Sequence, residues 1–323
     1  MTYTSGLEPE EFVMPLLEDK VAIVTGAGHG VGRGEALELA AEGARVVVND
    51  LGGSVSGDGA DKRPAEEVAE LIRRRGGEAV ANYDDVADWK GAASLVQQAV
   101  DSFGRLDVLV NNAGILRDKM MFSMTEDDFD SVIRVHLKGT FATTHHASVY
   151  WREQSKAGAQ PRAAVVNTVS SAGLQGNVGQ ANYGTAKAGI ASLTIITSLE
   201  LARYGVRANA IAPGGMTRMS GAVVKDKELK EPEQYEEFDP MNPGNSAPMV
   251  AWLASDEALH VTGQVFRAVG STISHYVPWT LGEGIDTPGG PAKWSPADIG
   301  PALNASVFHS RHPGLQMGRA RGR

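Results

Sequence analysis

Thr25-Gly-Ala-Gly-His-Gly-Val-Gly32 closes a short apolar run, Val21-Ala-Ile-Val-Thr25, and opens a helical pattern. These eight residues decide the fold. A strand that enters a glycine-rich turn and then a helix points backbone N–H groups, and the positive end of the helix dipole, at one spot where a phosphate can sit. In this reading Gly26 makes the tight turn. Gly30 and Gly32 let the backbone approach a pyrophosphate and let the helix pack on the sheet. The second apolar run, Arg45-Val-Val-Val-Asn49, ends at Asp50, 24 positions after Gly26. An acid at that distance accepts hydrogen bonds from the ribose hydroxyls of an adenine dinucleotide.

Outward from this unit the pattern repeats. Five more short runs follow: Glu78–Asn82, Asp107–Asn111, Ala163–Asn167, Val206–Ile211 and Gln264–Ala268. Helix-like segments such as Gly34–Glu42, Glu66–Arg75 and Trp89–Phe103 lie between them. Continuous apolar strands alternating with helices are the pattern of a parallel sheet covered on both faces. The expectation is a single α/β domain over residues 18–270, a Rossmann-type, doubly wound, seven-stranded parallel sheet. Residues 1–17 read as an acidic leader and 271–323, rich in proline, as an irregular C-terminal extension ending in a basic tail. The Gly/Ser/Asp-rich stretch 51–63 reads as a loop after the second strand.

Composition narrows the chemistry. The 323 residues include no cysteine, which excludes disulfides, thiolate catalysis and Cys-ligated metal centres. A net charge of −9 argues against a nucleic-acid surface. Thirty-eight glycines suggest many tight turns or close backbone approaches to a ligand. The first twenty residues lack a basic, then apolar, export signal. The longest weakly polar stretch, Ala188–Leu199, is too short to span a bilayer and reads as a buried helix. A cytoplasmic protein, without membrane or metal, is expected. His145 and His146 are adjacent, so on a helix they should point apart rather than share a metal.

Tyr183 and Lys187 stand four apart, so on a helix phenol and ammonium share a face. Ser170 precedes Tyr183 by thirteen positions, at the end of the fifth strand. The carboxyl edge of such a sheet is where ligands bind. A carbonyl receiving a hydride needs a proton, and a Tyr whose ordinary pKa is near 10 gives one readily only if a nearby cation stabilises its phenolate. A lowering of ~3 pKa units corresponds to about 4 kcal/mol.

With T-G-x-x-x-G-x-G, Asn111-Asn-Ala-Gly114 and Tyr183-x-x-x-Lys187, the chain resembles the short-chain dehydrogenase/reductase family over roughly residues 18–270. The resemblance implies an NAD(P)-dependent oxidoreductase interconverting a secondary alcohol and a ketone. It assigns catalysis to Ser170, Tyr183 and Lys187, with Lys187 also holding the nicotinamide ribose. It places Gly28, His29 and Val31 in the cofactor cradle beside Gly26, Gly30 and Gly32. Asp85 and Val86 would meet adenine. Asn112, Ala113, Gly114, Pro213, Gly214 and Thr217 would line the rest of the cofactor site. Where the family usually carries the Asn of a proton relay, this chain has His136, either a stand-in that holds the relay water or a satisfied structural histidine.

Several longer segments, among them Val47–Gly53, Arg73–Val86, Asn111–Met120, Arg134–Phe141 and Gly179–Lys187, resemble the (R)-3-hydroxyacyl-CoA dehydrogenase domain of peroxisomal multifunctional enzyme type 2. That relative shares the His-for-Asn change and the glycine-rich insertion. The substrate implied is a fatty or steroid 3-hydroxyacyl-CoA, and the assembly a homodimer or homotetramer. Alternatives are a 3-oxoacyl-carrier-protein reductase, a hydroxysteroid dehydrogenase or, outside catalysis, a nucleotide-binding regulator. Asp50 favours NAD over NADP, although Lys62 and Arg63 in the following loop could blunt that preference. Basic candidates for CoA phosphates are Lys225, Lys227, Lys230 and the segment 311–323. Met216, Met219 and Val224 are candidates for the cover over the acyl chain.

Overall fold

The computed structural model describes residues 14–221, 229–277, 279–281, 284–287, 289–291 and 293–306. Eight strands form one sheet: β1 (Val21–Thr25), β2 (Arg45–Asn49), β3 (Ala79–Asn82), β4 (Val108–Asn111), β5 (Ala163–Thr168), β6 (Val206–Pro213), β7 (Val265–Val269) and β8 (Thr272–Tyr276). Their order is β3-β2-β1-β4-β5-β6-β7-β8. The first seven are parallel, and all seven expected strands are present within a few residues of their expected limits. The eighth corrects the strand count and the reading of the segment after 270 as irregular. It returns antiparallel from β7 through the two-residue turn Gly270-Ser271, with Gly270 at φ +55°. A two-residue hairpin needs positive φ, which glycine adopts without a Cβ clash. The sheet therefore extends past residue 270.

Helices α1 (Gly30–Ala41), α2 (Arg63–Arg74), α3 (Trp89–Phe103), α4 (Glu126–Ile133), α5 (Gly139–Lys156), α6 (Ser171–Gln175), α7 (Ala181–Leu201), α8 (Arg218–Gly221), α9 (Ala247–Ala254) and α10 (Pro296–Ala305) complete the fold. Strand residues sort by alternation. Val24, Val46, Val48, Val110, Val166 and Ile211 pack beneath α1, α2 and α9. Ile23, Val47, Leu109 and Val165 pack beneath α3 and α5, and Val169 and Ala210 beneath α7. Leu17, at the end of the expected leader, is fully buried in the first of these cores. Helix ends follow local chemistry. Asp88 caps α3 by accepting from Gly91 N at 2.7 Å, and Thr125 and Asp128 form a reciprocal capping box on α4.

Two local expectations change. The stretch Ala188–Leu199 lies within α7 but is buried on one side only, since Ile196 and Leu199 are exposed. His145 and His146 do not diverge. Both rings pack against Trp89, His145 tilted and His146 edge-on, with centroids 4.8 Å away, and lie 5.1 Å from each other. The indole draws them to one side. Among the described residues no helix is long and apolar enough to cross a membrane.

Candidate active site

The order of the sheet reverses between β1 and β4, and a cavity of about 670 Å³ opens at their carboxyl ends. Gly26, Gly30 and Gly32 form its floor. A Cβ on Gly32 would collide with the Asn112 amide and the Gly26 carbonyl, and Gly26 itself sits at φ +64°. The turn is thus closed to other residues. Thr25 ties it to the loop after β4, its hydroxyl accepting from the backbone N–H of Asn112 (3.0 Å) and Ala113 (3.1 Å). The Asn112 side chain donates to the carbonyls of Thr25 and Gly26, both at 3.0 Å.

Around this floor stand His29, Val31, Asp50, Asp85, Val86, Asn112, Ala113, Gly114, Pro213, Gly214 and Thr217. Gly28 does not line the cavity. It lies behind Asp50, donating its N–H to Oδ2 at 2.8 Å, while Gly52 N donates to Oδ1 at 2.7 Å. Gly28 therefore positions the acid rather than the ligand. Asp85 is ion-paired with Arg134 at 2.6 Å. Lys62 and Arg63 turn away from Asp50. Lys62 lies over the Tyr83 ring and Arg63 pairs with Asp61.

Sequence reading missed two walls. Leu51, Gly53, Ser54, Val55 and Gly57 of the insertion line the cavity. Their loop is pinned by Leu116 N donating to Val55 O (2.9 Å) and Arg117 Nε donating to Ser56 O (2.9 Å). On the other side Glu231 reaches over the cradle. One carboxylate oxygen accepts from Gly30 N at 2.8 Å, and the other lies 2.6 Å from His29 Nδ1. Arg33 and Glu233 form an ion pair beside it. A carboxylate held by the N–H that starts α1 demonstrates that this donor takes an anion. The glycine floor, the open carboxylate edge and this donor fit a dinucleotide.

Ser170, Tyr183 and Lys187 meet in the same cavity. Ser170 lies two residues beyond β5 and caps α6, accepting from Ala172 N at 3.1 Å, and its side chain lines the same cavity as the Tyr183 phenol. Lys187, 2% exposed, donates from Nζ to the Thr168 carbonyl at 2.6 Å and lies 5.7 Å from the Tyr183 ring centre. Burial pushes the Tyr183 phenol above its ordinary pKa, opposed by the Ser170 hydroxyl. Burial drives Lys187 down to about 7. The expected lowering of Tyr183 by Lys187 is therefore absent in this arrangement. The ammonium is engaged by a carbonyl, and both groups are desolvated.

His136 lies in a π-helical turn, Arg134–Lys138, that joins α4 to α5. It is 1% exposed and packs edge-on to Tyr183, ring centroids 5.2 Å apart. Its Nε2 lies 2.8 Å from Ile115 O and 3.0 Å from Ile115 N, while Nδ1 is buried without a partner. Burial first, then the Lys187 charge, pull its pKa down to about 3, so the ring is neutral. Gly114 makes room for it, since a Cβ there would strike the imidazole.

Met216 and Met219 line the cavity, as do Leu229, Met241, Arg218, Lys230 and Arg267. Lys225, Lys227, Val224 and the segment 311–323 lie outside the described residues. Among the described residues no group of three or more His, Cys, Asp or Glu side chains could hold a metal.

Comparison with known proteins agrees with this geometry. Residues 20–228 match the family model described as short chain dehydrogenase. The hydroxyacyl-CoA dehydrogenase ChsB1 of Mycobacterium tuberculosis is 40% identical, over 92% of this chain and 91% of that protein. The peroxisomal multifunctional enzyme type 2 of Mus musculus is 42% identical over 77% of this chain, but only 31% of that longer protein. A crystal structure of a short chain dehydrogenase from Mycobacterium avium superposes with a TM-score of 0.80 at 48% identity, covering 93% of this chain and 98% of that one. The chain belongs to the short-chain dehydrogenase family and is an oxidoreductase acting on CH–OH groups.

Proposed function

We propose that the protein is an NAD-dependent dehydrogenase of 3-hydroxyacyl-CoA thioesters, with Ser170, Tyr183 and Lys187 as its catalytic residues. The observation that carries this reading is their convergence in one cavity with the glycine floor and Asp50. When bound, the nicotinamide cofactor supplies the hydride acceptor for an alcohol or the hydride donor for a ketone. Everything else falls to the chain. Ser170 donates to the substrate oxygen and orients it. Tyr183 carries the proton to or from that oxygen. Lys187, once turned from Thr168 toward the ring, stabilises the phenolate and holds the nicotinamide ribose. Gly26, Gly30, Gly32 and Val31 receive the pyrophosphate, Asp50 the adenosine ribose, and Asp85 and Val86 the adenine. Nε2 of His136 is engaged by Ile115, and Nδ1, without a partner, is the ring nitrogen that would hold a relay water.

The methionine-rich wall of Met216, Met219 and Met241 suits a long apolar acyl chain or a steroid. Arg218, Lys230 and Arg267 at its edge suit an anionic head. Exposed Phe141 and Val149 on α5, with Ile196 and Leu199 on α7, support assembly as a homodimer or homotetramer. The test is Tyr183→Phe, assayed at 340 nm with 3-hydroxyacyl-CoA and NAD. A loss of at least ~100-fold in kcat with unchanged NADH binding is expected, because general acid–base catalysis contributes about 10²–10⁴-fold. Wild-type turnover by the Phe variant would sink the assignment.

A further inference from the structure

Tyr183 stands in the first turn of α7, where the leading N–H groups of a helix have no carbonyl one turn back to receive them. Such an end frays unless side chains satisfy it. Gln180, the residue before the helix, gives no side-chain cap. The Gly179 carbonyl, four positions before Tyr183, accepts instead from Lys119 N at 2.9 Å. The Tyr183 N–H is received by the side chain of Asn182, whose Oδ1 accepts it at 2.7 Å. Nδ2 of the same amide donates to the Arg117 carbonyl at 3.0 Å and to the Asp128 carbonyl at 2.9 Å. Asn182 is fully buried, and both of its donor hydrogens and its acceptor are in use. The chemistry described above makes no use of this side chain.

The carbonyls that Asn182 grips are themselves held. Arg117 donates from Nε to Ser56 O at 2.9 Å and pairs with Asp127. Asp128 belongs to the capping box that starts α4, and its carboxylate pairs with Lys119 at 2.6 Å. Gln180 Nε2 adds a further tie between the two segments, donating to Asp118 Oδ2 at 2.8 Å. We propose that Asn182 is a positioning residue for Tyr183: its three hydrogen bonds fasten the end of α7 that carries the phenol to the loop after β4 and to α4, and so hold the phenolic oxygen where the proton is transferred.

Position matters more for Tyr183 than for its partners. Lys187 lies one turn deeper in α7 and is held separately by the Thr168 carbonyl. Ser170 is on another element, at the start of α6. Loosening the first turn of α7 therefore moves the phenol before it moves either of them. A reacting group displaced by about 1 Å can cost about 10²-fold in rate. The glycine floor and Asp50 rest on β1, α1 and the end of β2, so cofactor binding should survive the loss of Asn182. Alanine at this position would leave the Tyr183 N–H without its acceptor, in the turn where no helix carbonyl replaces it.

The inference rests on the reading of Tyr183 as the proton carrier, and a double-mutant cycle separates the two. In the full chain, Asn182→Ala and the milder Asn182→Ser are made alone and in the Tyr183→Phe background. Titration with NADH, followed by fluorescence, counts cofactor sites per chain. Turnover with 3-hydroxyacyl-CoA and NAD is then expressed per site, so that misfolded molecules do not count. Asn182→Ala should lose at least about tenfold in kcat per site, with NADH affinity within about twofold and the thioester KM within about threefold of wild type. Asn182→Ser, whose hydroxyl can still accept and donate, should fall between. In the Tyr183→Phe background the same changes should cost less than about twofold, because residues that act through one another are not additive. Equal losses in both backgrounds overturn the role, as does a kcat per site that matches wild type. An absence of NADH sites in both Asn182 variants also overturns it, since Asn182 would then serve folding alone. An inactive Tyr183→Phe beside a fully active Asn182→Ala removes only this inference. A fully active Tyr183→Phe removes the catalytic reading, and this inference with it.

Discussion

Asp50 shows how much a single carboxylate can be asked to do. It is 8% exposed, directly follows β2 at the cavity wall, and accepts two backbone N–H groups, from Gly28 and Gly52. In the proposed reading this carboxylate, which lines the cavity, would receive an adenosine ribose, and its charge would repel a 2′-phosphate. Asp50→Ala should lower kcat/KM for NAD about tenfold or more while leaving or raising that for NADP, as measured by initial rates with each cofactor. A wild-type preference for NADP would contradict this role. The neighbouring cations do not offset it, because Lys62 and Arg63 are committed to Tyr83 and Asp61. His136 is a different kind of residue. Its ring fills the space opened by Gly114 and meets the Ile115 backbone through Nε2, and burial keeps it neutral.

At the scale of elements, the segment after β6 folds back over the start of α1. Glu231 is the contact point, and it occupies the Gly30 N–H that a phosphate would also want. A bound dinucleotide therefore competes with this carboxylate, or sits beside it against charge repulsion. Glu231→Ala should tighten NADH binding roughly ten- to a hundredfold, read from nicotinamide fluorescence, since hydrogen bonds to charged groups contribute about 1.5–3 kcal/mol and each 1.4 kcal/mol is about tenfold. A weaker affinity in the variant would mean that Glu231 braces the cradle. The insertion 51–63 is a second element that the site recruits. Held by Arg117 and Leu116, it walls the side of the cavity next to Asp50.

For the whole molecule, the outer faces of α5 and α7 carry exposed apolar side chains. Phe141 and Val149 on α5 and Ile196 and Leu199 on α7 are exposed, Leu199 by 75%. A second copy of the chain would cover this face and remove it from water. Leu199→Glu with Ile196→Glu should shift the protein to a smaller species in sedimentation equilibrium while leaving the cavity intact. An unchanged mass would place the subunit interface elsewhere.

Local order made much of this protein legible in its residues. The strand–glycine–helix unit at Thr25–Gly32, the parallel strands and the Tyr183/Lys187 spacing all follow from short-range steric and periodic rules, which a linear chain displays. The hairpin turn Gly270-Ser271 was also visible in the chain, but the prolines that follow obscured the strand after it. Other features depended on neighbours far apart in sequence. Glu231 meets His29 across 202 positions, and Ser171 meets Tyr276 across 105. The Trp89 cluster that turns His145 and His146 together is likewise made by packing. The protonation tendencies belong to the same class. Lys187, Tyr183, His136 and Glu35 have ordinary side chains, and their shifts come from burial and from charges that only the folded layers bring together. The residues alone determined the fold family and the chemical groups on hand. The tertiary structure decided which donors are already taken, which charges face one another and how dry they are, because desolvation and Coulomb energy depend on three-dimensional distance and not on position along the chain.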